Sequence, residues 1–223
     1  MLSQVTDSRP AARDRGLAYE TNNYSPRLAE FFDPPVRRLP PLAEQLEAAA
    51  GAGFGSVVLD SGSLAAYLRD TGTVRELRTL LDALGLRCLA VAQVSIVEDS
   101  ESTIAAARTL LDAGRVLGAA FLQASVMGVA SGCHASARAV EQLAAAAGAT
   151  LALEFLPFSA VNSIGSTLQF IAVAELCNTR LLLDSWHFFQ GSASWAELQQ
   201  LLPCQIAYLQ LSDHAAIGVE NPL

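Results

Sequence analysis

Seven side chains with oxygen donors each end a short apolar run of the sequence. They are Glu20, Asp60, Gln93, Gln123, Glu154, Asp184 and Gln210. The runs are rich in Val, Leu and Ala, which is typical of β-strands that are buried on both faces. Carboxylate and amide oxygens are the donors that hard cations such as Mg²⁺ and Mn²⁺ prefer. If the strands end at one edge of a sheet, these side chains form a polar, net-negative site for a cation and a polyhydroxy ligand.

The runs recur roughly every thirty residues, and amphipathic helix patterns lie between them. Leu77, Leu81 and Leu84 keep helical spacing, and Gly85 follows them as a C-cap residue. Ser194, with Glu197 three residues later, predicts that another helix begins with a capping box. Strand–helix units of this length predict parallel strands that are joined by right-handed crossovers.

Two folds are built from such units, the doubly wound sheet and the TIM barrel. The Gly-rich stretch 51–55 precedes a strand rather than following one, so it does not fit the dinucleotide-binding fingerprint. The sequence therefore favours an α/β fold of the TIM (β/α)8 barrel type. Only seven strands can be counted, so we expect a barrel that lacks its eighth strand–helix unit. A single domain is predicted over residues 15–223, after a disordered segment 1–14.

Composition argues against several classes of protein. The chain has 14 Lys and Arg against 22 Asp and Glu, a net charge of −8, and its densest basic cluster is Arg37–Arg38. Nucleic-acid phosphates would repel such a chain, so nucleic-acid binding is not expected. No apolar run approaches the roughly 20 residues of a membrane span, and the start of the chain lacks a signal-peptide pattern. Four separated cysteines without CxxC spacing fit reduced thiols, so a cytoplasmic protein is predicted.

Three segments in the later half of the chain resemble the xylose isomerase-like TIM barrel superfamily, the sugar phosphate isomerase/epimerase family. They are LALEFLP at 151–157, LLLDSWH at 181–187 and YLQLSD at 208–213. In that family a Glu that ends strand five is followed by a short step to Pro, strand six ends in Asp-x-x-His, and strand seven carries His or Gln followed by x-x-Asp. The resemblance covers about residues 16–214.

The resemblance implies a role for each matching residue. Glu154, Asp184 and Gln210 match the metal ligands of strands five, six and seven, and Glu154 also matches a catalytic acid or base. His187 matches a catalytic histidine that touches substrate hydroxyls or the metal. Trp186 is either an apolar wall that binds the substrate or a core residue. The implied cofactor is a divalent metal, Mn²⁺, Mg²⁺ or Co²⁺, while the family's fourth ligand, a Glu on strand eight, has no counterpart.

The activity implied by the resemblance is that of an isomerase or epimerase, in which a metal assists removal of a proton beside the carbonyl of a small polyhydroxylated substrate. Two alternatives stay open. Gln210 in place of His is similar to the 3-dehydroshikimate dehydratase branch, which would make the protein a lyase. The missing Glu of strand eight favours a non-catalytic remnant that binds a ligand or a partner. A sugar-like small molecule is the expected partner, and a homodimer is compatible with the resemblance.

Overall fold

The computed structural model describes residues 16–24, 39–70 and 72–212. The described residues form two compact units, with the boundary between residues 89 and 90. The predicted disordered segment 1–14 lies outside the described residues. The prediction of one domain over 15–223 stays a prediction.

The described part of the first unit contains two complete parallel strands and three α-helices. Its elements are β1 (Ala18–Glu20), α1 (Leu42–Gly51), β2 (Ser56–Asp60), α2 (Ser61–Asp70) and α3 (Val74–Leu84). β1 pairs with β2 from Ala18↔Ser56 to Glu20↔Val58. Gly85 ends α3 with a φ of 68°, the left-handed conformation that glycine adopts without strain.

The second unit alternates strands and helices. The first residues of β3 (Arg87–Ile96) belong to the first unit, and the rest begin the second. The further elements are α4 (Ser100–Leu117), β4 (Phe121–Val126), α5 (His134–Ala146), β5 (Thr150–Glu154), α6 (Ile164–Val173), β6 (Thr179–Asp184), α7 (Ser185–Gln190), α8 (Trp195–Gln200) and β7 (Ile206–Gln210). From β3 to β7, each strand pairs in parallel with the next one along the chain. The capping box at Ser194 and Glu197 begins α8 as predicted.

The sheet of the second unit is curved. Tyr208 on β7 donates its hydroxyl to Oε1 of Gln123 on β4 at 3.0 Å, and the rings of Tyr208 and Phe121 lie 5.5 Å apart. Because β5 and β6 lie between these strands, a flat sheet would hold their backbones about 14 Å apart. The contact therefore requires the strands to curl towards one another, as they do in a barrel.

The α/β fold class and the seven parallel strands are confirmed, and the described residues contain no eighth strand. The prediction that Gln93 and Gln123 end their strands was wrong. β3 and β4 each continue three residues further, because the mostly apolar residues 94–96 and 124–126 keep the strand pattern. Helices α2 and α7 were not predicted, since α2 begins with a polar Ser-Gly-Ser run and α7 has only six residues.

None of the helices in the described residues is long and apolar enough to cross a membrane. Their buried faces are rich in small side chains, such as Ala107 on α4 and Ala137 and Ala144 on α5, each fully buried. Small side chains let these helices pack closely, and α4 and α5 contact each other.

A buried carboxylate links α5 to the start of β6. Glu141 is 9% exposed, and its Oε1 accepts hydrogen bonds from the Asn178 N–H at 2.7 Å and from the Thr179 hydroxyl at 2.6 Å. The interaction joins residues that are distant in sequence, so it helps to set where β6 begins beside β5.

We expect Glu141→Ala to lower the free energy of unfolding by about 1–3 kcal/mol, because two donors lose their acceptor in a poorly hydrated place. Glu141→Gln keeps an acceptor oxygen and should cost less. Urea unfolding followed by circular dichroism measures both variants. Equal stability of Glu141→Ala and the wild type would show that this link contributes nothing.

Candidate metal centre

Three side chains of ligand type meet at the carboxyl ends of β5 and β6. Glu154 is the last residue of β5, Asp184 is the last residue of β6, and His187 lies in the first turn of α7. One ligand atom from each lies within 4.8 Å of the others. The two carboxylates are buried and His187 is half-buried. Two anionic groups and an imidazole thus face one another with little access to water.

The two oxygens of Glu154 have different surroundings. Oε2 accepts hydrogen bonds from Nε2 of Gln93 at 2.9 Å and from Nε2 of Gln123 at 3.0 Å. Oε1 lies 3.3 Å from Nε2 of His187, within ion-pair distance when the imidazole is protonated. The glutamine amides therefore present nitrogen, not oxygen, to the carboxylate, so these contacts do not make them metal ligands.

Asp184 both ends β6 and begins α7. Its Oδ1 accepts hydrogen bonds from the backbone N–H groups of Trp186 at 2.7 Å and His187 at 3.1 Å, which is the geometry of a helix N-cap. Its Oδ2 accepts the hydroxyl of Ser212 at 2.5 Å. An ionised carboxylate has about four lone-pair sites, so Oδ2 keeps room for one further partner.

One nitrogen of His187 has no hydrogen-bond partner within the part of the chain that the structure describes. This nitrogen is Nδ1, and it is buried. An unsatisfied buried polar atom costs about 1–3 kcal/mol. The nitrogen that faces Glu154 is the other one, Nε2, so Nε2 is the nitrogen that the geometry places in the cluster.

Two aromatic rings lie near His187. The ring of Trp186 is centred 5.0 Å from the imidazole and that of Phe158 is centred 6.5 Å from it, both edge-to-face. Phe158 is 68% exposed and was missed by the sequence analysis, although it directly follows the Glu-x-x-Pro motif. Trp186 thus lies beside the centre, and its binding of substrate stays a prediction.

Gln210 lies next to the centre in register. Its backbone pairs with that of Asp184 at the end of β7, and its side chain is half-buried. The register places an amide beside Asp184, so its role as a metal ligand stays a prediction.

The other two acidic residues at strand ends, Glu20 and Asp60, belong to the first unit. Asp60 has a role in the fold. Asp60 accepts hydrogen bonds from the Thr21 hydroxyl at 2.7 Å and from the N–H groups of Gly62 and Ser63 at 2.9 and 3.0 Å. It therefore caps the start of α2. Glu20 ends β1, half-buried, as predicted.

Cys133 and His134 are adjacent in sequence but serve the fold. The Cys133 thiol is buried and donates to the carbonyl of Ile96 at 3.6 Å, and burial raises its pKa. The His134 ring packs on Phe170 with their centres 5.0 Å apart. These contacts explain both residues without a ligand.

The Glu154, Asp184 and His187 cluster fits a divalent cation. Protein ligands bind such ions at about 2.0–2.3 Å, so two ligands on opposite sides of an ion lie about 4–4.6 Å apart. The observed limit of 4.8 Å is only slightly wider, a difference that small side-chain rotations cover. The donor chemistry and the burial agree with such a site.

Comparison with solved structures places the chain among xylose isomerase-like TIM barrels in fold. The IolI protein with a bound zinc atom matches with a TM-score of 0.70 at 17% identity, over 86% of this chain and 70% of that one. The probable 3-DHS dehydratase AsbF from Bacillus anthracis matches with 0.68 at 17% identity, over 86% and 72%. The 3-keto-D-glucoside 4-epimerase YcjR from E. coli matches with 0.65 at 15% identity, over 80% and 76%.

At these identities the likeness establishes the fold alone. The chain shares the TIM-barrel type of fold of these structures, as its three motifs predict. No protein-family model matches the sequence, and comparison with curated protein sequences also finds no match.

The capping role of Asp184 can be separated from its charge. Asp184→Ala should lower the free energy of unfolding by about 1 kcal/mol, because α7 loses its N-cap acceptor. Asp184→Asn keeps an oxygen for the two N–H groups and should lose only a fraction of that. Thermal and urea unfolding of the metal-free proteins test this, and equal losses in both variants would contradict the capping role.

Proposed function

We propose that the protein is a divalent-metal-dependent enzyme of the isomerase/epimerase type. It removes a proton beside the carbonyl of a small polyhydroxylated substrate. The observation that carries the proposal is the buried cluster of Glu154, Asp184 and His187, whose ligand atoms lie within 4.8 Å of one another. Buried, converging carboxylates are costly unless a cation or proton balances them, so such clusters are candidates for metal and acid–base chemistry.

The donor set narrows the choice of metal. Carboxylates suit Mg²⁺ and Mn²⁺, whereas imidazole suits Zn²⁺ and related transition ions. Two carboxylates with one imidazole therefore favour Mn²⁺, Co²⁺ or Zn²⁺ over Mg²⁺. When bound, such a cation polarises a carbonyl and stabilises the negative charge that develops on its oxygen.

The residues of the chain supply binding and proton transfer. Glu154 and Asp184 would hold the cation through the oxygens that face the cluster. Nε2 of His187 lies 3.3 Å from Oε1 of Glu154, so the imidazole can give a proton to that oxygen or take one from it. The rings of Trp186 and Phe158 would cover the apolar face of a sugar-like substrate and exclude water from the reacting carbon.

Titration calorimetry of Mn²⁺ and Zn²⁺ into the metal-free protein tests the metal site. We expect one equivalent to bind the wild type and Asp184→Asn to bind at least about 10-fold more weakly, because it loses an anionic ligand. Asp112→Asn, the same change at an exposed position of α4, serves as the control and should bind like the wild type. Negligible heat with the wild type would remove the proposed metal function.

Exchange of substrate hydrogen with solvent tests the proton abstraction. The Mn²⁺-loaded protein is incubated in D₂O with a panel of five- and six-carbon ketoses, and proton NMR follows loss of the signal beside the carbonyl. Glu154→Gln should slow the exchange by about 10²–10⁴-fold, whereas Glu47→Gln, an exposed change on α1, should leave it unchanged. An exchange rate that does not depend on Glu154 would exclude its catalytic role.

A lyase of the 3-dehydroshikimate dehydratase type is the second candidate. Gln210, an amide beside Asp184 at the end of β7, favours it, since it stands where other family members are expected to have His. The two candidates use the same first step and differ in whether a hydroxyl group then leaves. Incubation with 3-dehydroshikimate decides between them, because elimination produces an aromatic ring that absorbs in the near ultraviolet. Metal binding without either reaction would instead favour a non-catalytic binding protein.

A further inference from the structure

We infer that Tyr208, Gln123 and Gln93 are positioning residues that make Glu154 a one-oxygen ligand of the metal centre. The inference rests on the proposed metal function and assigns roles to side chains from β7, β4 and β3. Each acts through Glu154 and would not touch the metal itself.

Oε2 of Glu154 already accepts as many hydrogen bonds as a carboxylate oxygen usually does. A carboxylate oxygen accepts about two hydrogen bonds, and Oε2 has two, from Gln93 at 2.9 Å and Gln123 at 3.0 Å. The opposite oxygen, Oε1, faces His187. A cation that shares the cluster with His187 would therefore find only Oε1 free to bind it.

The hydroxyl of Tyr208 fixes the orientation of the Gln123 amide. An amide presents oxygen on one side and nitrogen on the other, and only its nitrogen can donate to a carboxylate. The Tyr208 hydroxyl donates to Oε1 of Gln123 at 3.0 Å, which keeps Nε2 on the side of Glu154. Gln123 is 4% exposed, so water cannot readily replace Tyr208 in this role.

The hydroxyl of Ser125 fixes the orientation of the Gln93 amide in a similar way. Its Nε2 donates both to Glu154 and to the hydroxyl oxygen of Ser125, each at 2.9 Å. Ser125 is 1% exposed and pairs in register with Glu154 on the neighbouring strand. Both protons of the Gln93 amide are thus used, and the amide is held with nitrogen towards the carboxylate.

The two oxygens of Glu154 therefore have different roles. Oε2 cannot bind a metal or accept a substrate proton unless a hydrogen bond to an amide breaks first. Metal binding and proton exchange with His187 are confined to Oε1. A carboxylate that binds through one oxygen leaves an additional coordination position for substrate, which catalytic metal sites require.

Tyr208→Phe tests the inference, because it removes only the hydroxyl that orients Gln123. We expect Mn²⁺ affinity measured by calorimetry to fall by about 10- to 100-fold, the usual effect of losing a group that orients a ligand. The visible spectrum of the Co²⁺-loaded protein should also change, since Glu154 can then bind through both oxygens. Neither change is expected if Tyr208 serves only the stability of the fold.

Tyr19→Phe is a matched control in the first unit. The Tyr19 hydroxyl also donates to a glutamine Oε1 at 3.0 Å, that of Gln45, but the Gln45 amide donates to the backbone carbonyl of Pro40 rather than to a carboxylate. This variant should lose similar stability and keep wild-type Mn²⁺ affinity. Equal loss of affinity in both tyrosine variants would overturn the inference.

Gln123→Met alone covers the case in which Tyr208→Phe folds poorly, and a double-mutant cycle tests the coupling between the two residues. Because Tyr208 acts through Gln123, Gln123→Met alone should weaken Mn²⁺ binding as much as Gln123→Met combined with Tyr208→Phe. Additive losses would overturn the inference, as would unchanged Mn²⁺ affinity in Gln123→Met. No Mn²⁺ binding by the wild type would instead refute the proposed metal function, and this outcome is distinct from wild-type binding that the variants leave unchanged.

Discussion

Burial of the Glu154 carboxylate is the constraint on which the rest of the site depends. The side chain is 4% exposed at the end of β5, and a buried charge is strongly unfavourable unless other groups compensate for the lost water. Here the compensation comes from amides on β3 and β4, with the second amide oriented by a tyrosine on β7. Here these residues, which are far apart in sequence, reach one carboxylate because the strands are parallel, in order and curled. The buried polar groups therefore depend on the curvature of the sheet, which brings them to the carboxylate.

Asp184 likewise contributes to both the fold and the candidate metal site. By capping α7 it fixes the backbone of His187, and the same carboxylate supplies an oxygen to the cluster. A helix of six residues has little stability of its own, so its position depends on this cap and on the reciprocal hydrogen bonds between Ser185 and Ser212. The position of the His187 backbone thus depends on a hydrogen bond that requires no metal.

Sequence patterns predicted the strands and two of the clustered residues at strand ends, because apolar runs ending in acids are local signals. The hydrogen bonds among Gln93, Gln123 and Glu154 could not be predicted, since they depend on the register between strands. Gln93 and Gln123 were assigned to strand ends because a polar residue usually marks where a strand leaves the core. Here each lies inside a strand because Glu154 satisfies its amide. Tyr208 could have been noticed, as the alternation of β7 places it on the same face as Gln210.

The fourth ligand expected on strand eight has no counterpart among the described residues, and the geometry shows what its absence would mean. Catalytic metal sites often use three protein ligands and keep a position open, whereas structural sites are closed by four. Glu154 offers one oxygen, Asp184 has one acceptor position left on Oδ2, and His187 offers a nitrogen, so the cluster reaches three donors without strand eight. A Glu from strand eight would therefore matter less for holding the ion than for moving a proton. The three donors would suffice to hold the proposed ion, and Glu154 Oε1 and His187 Nε2 would remain a route for the proton only where His187 does not donate Nε2 to that ion.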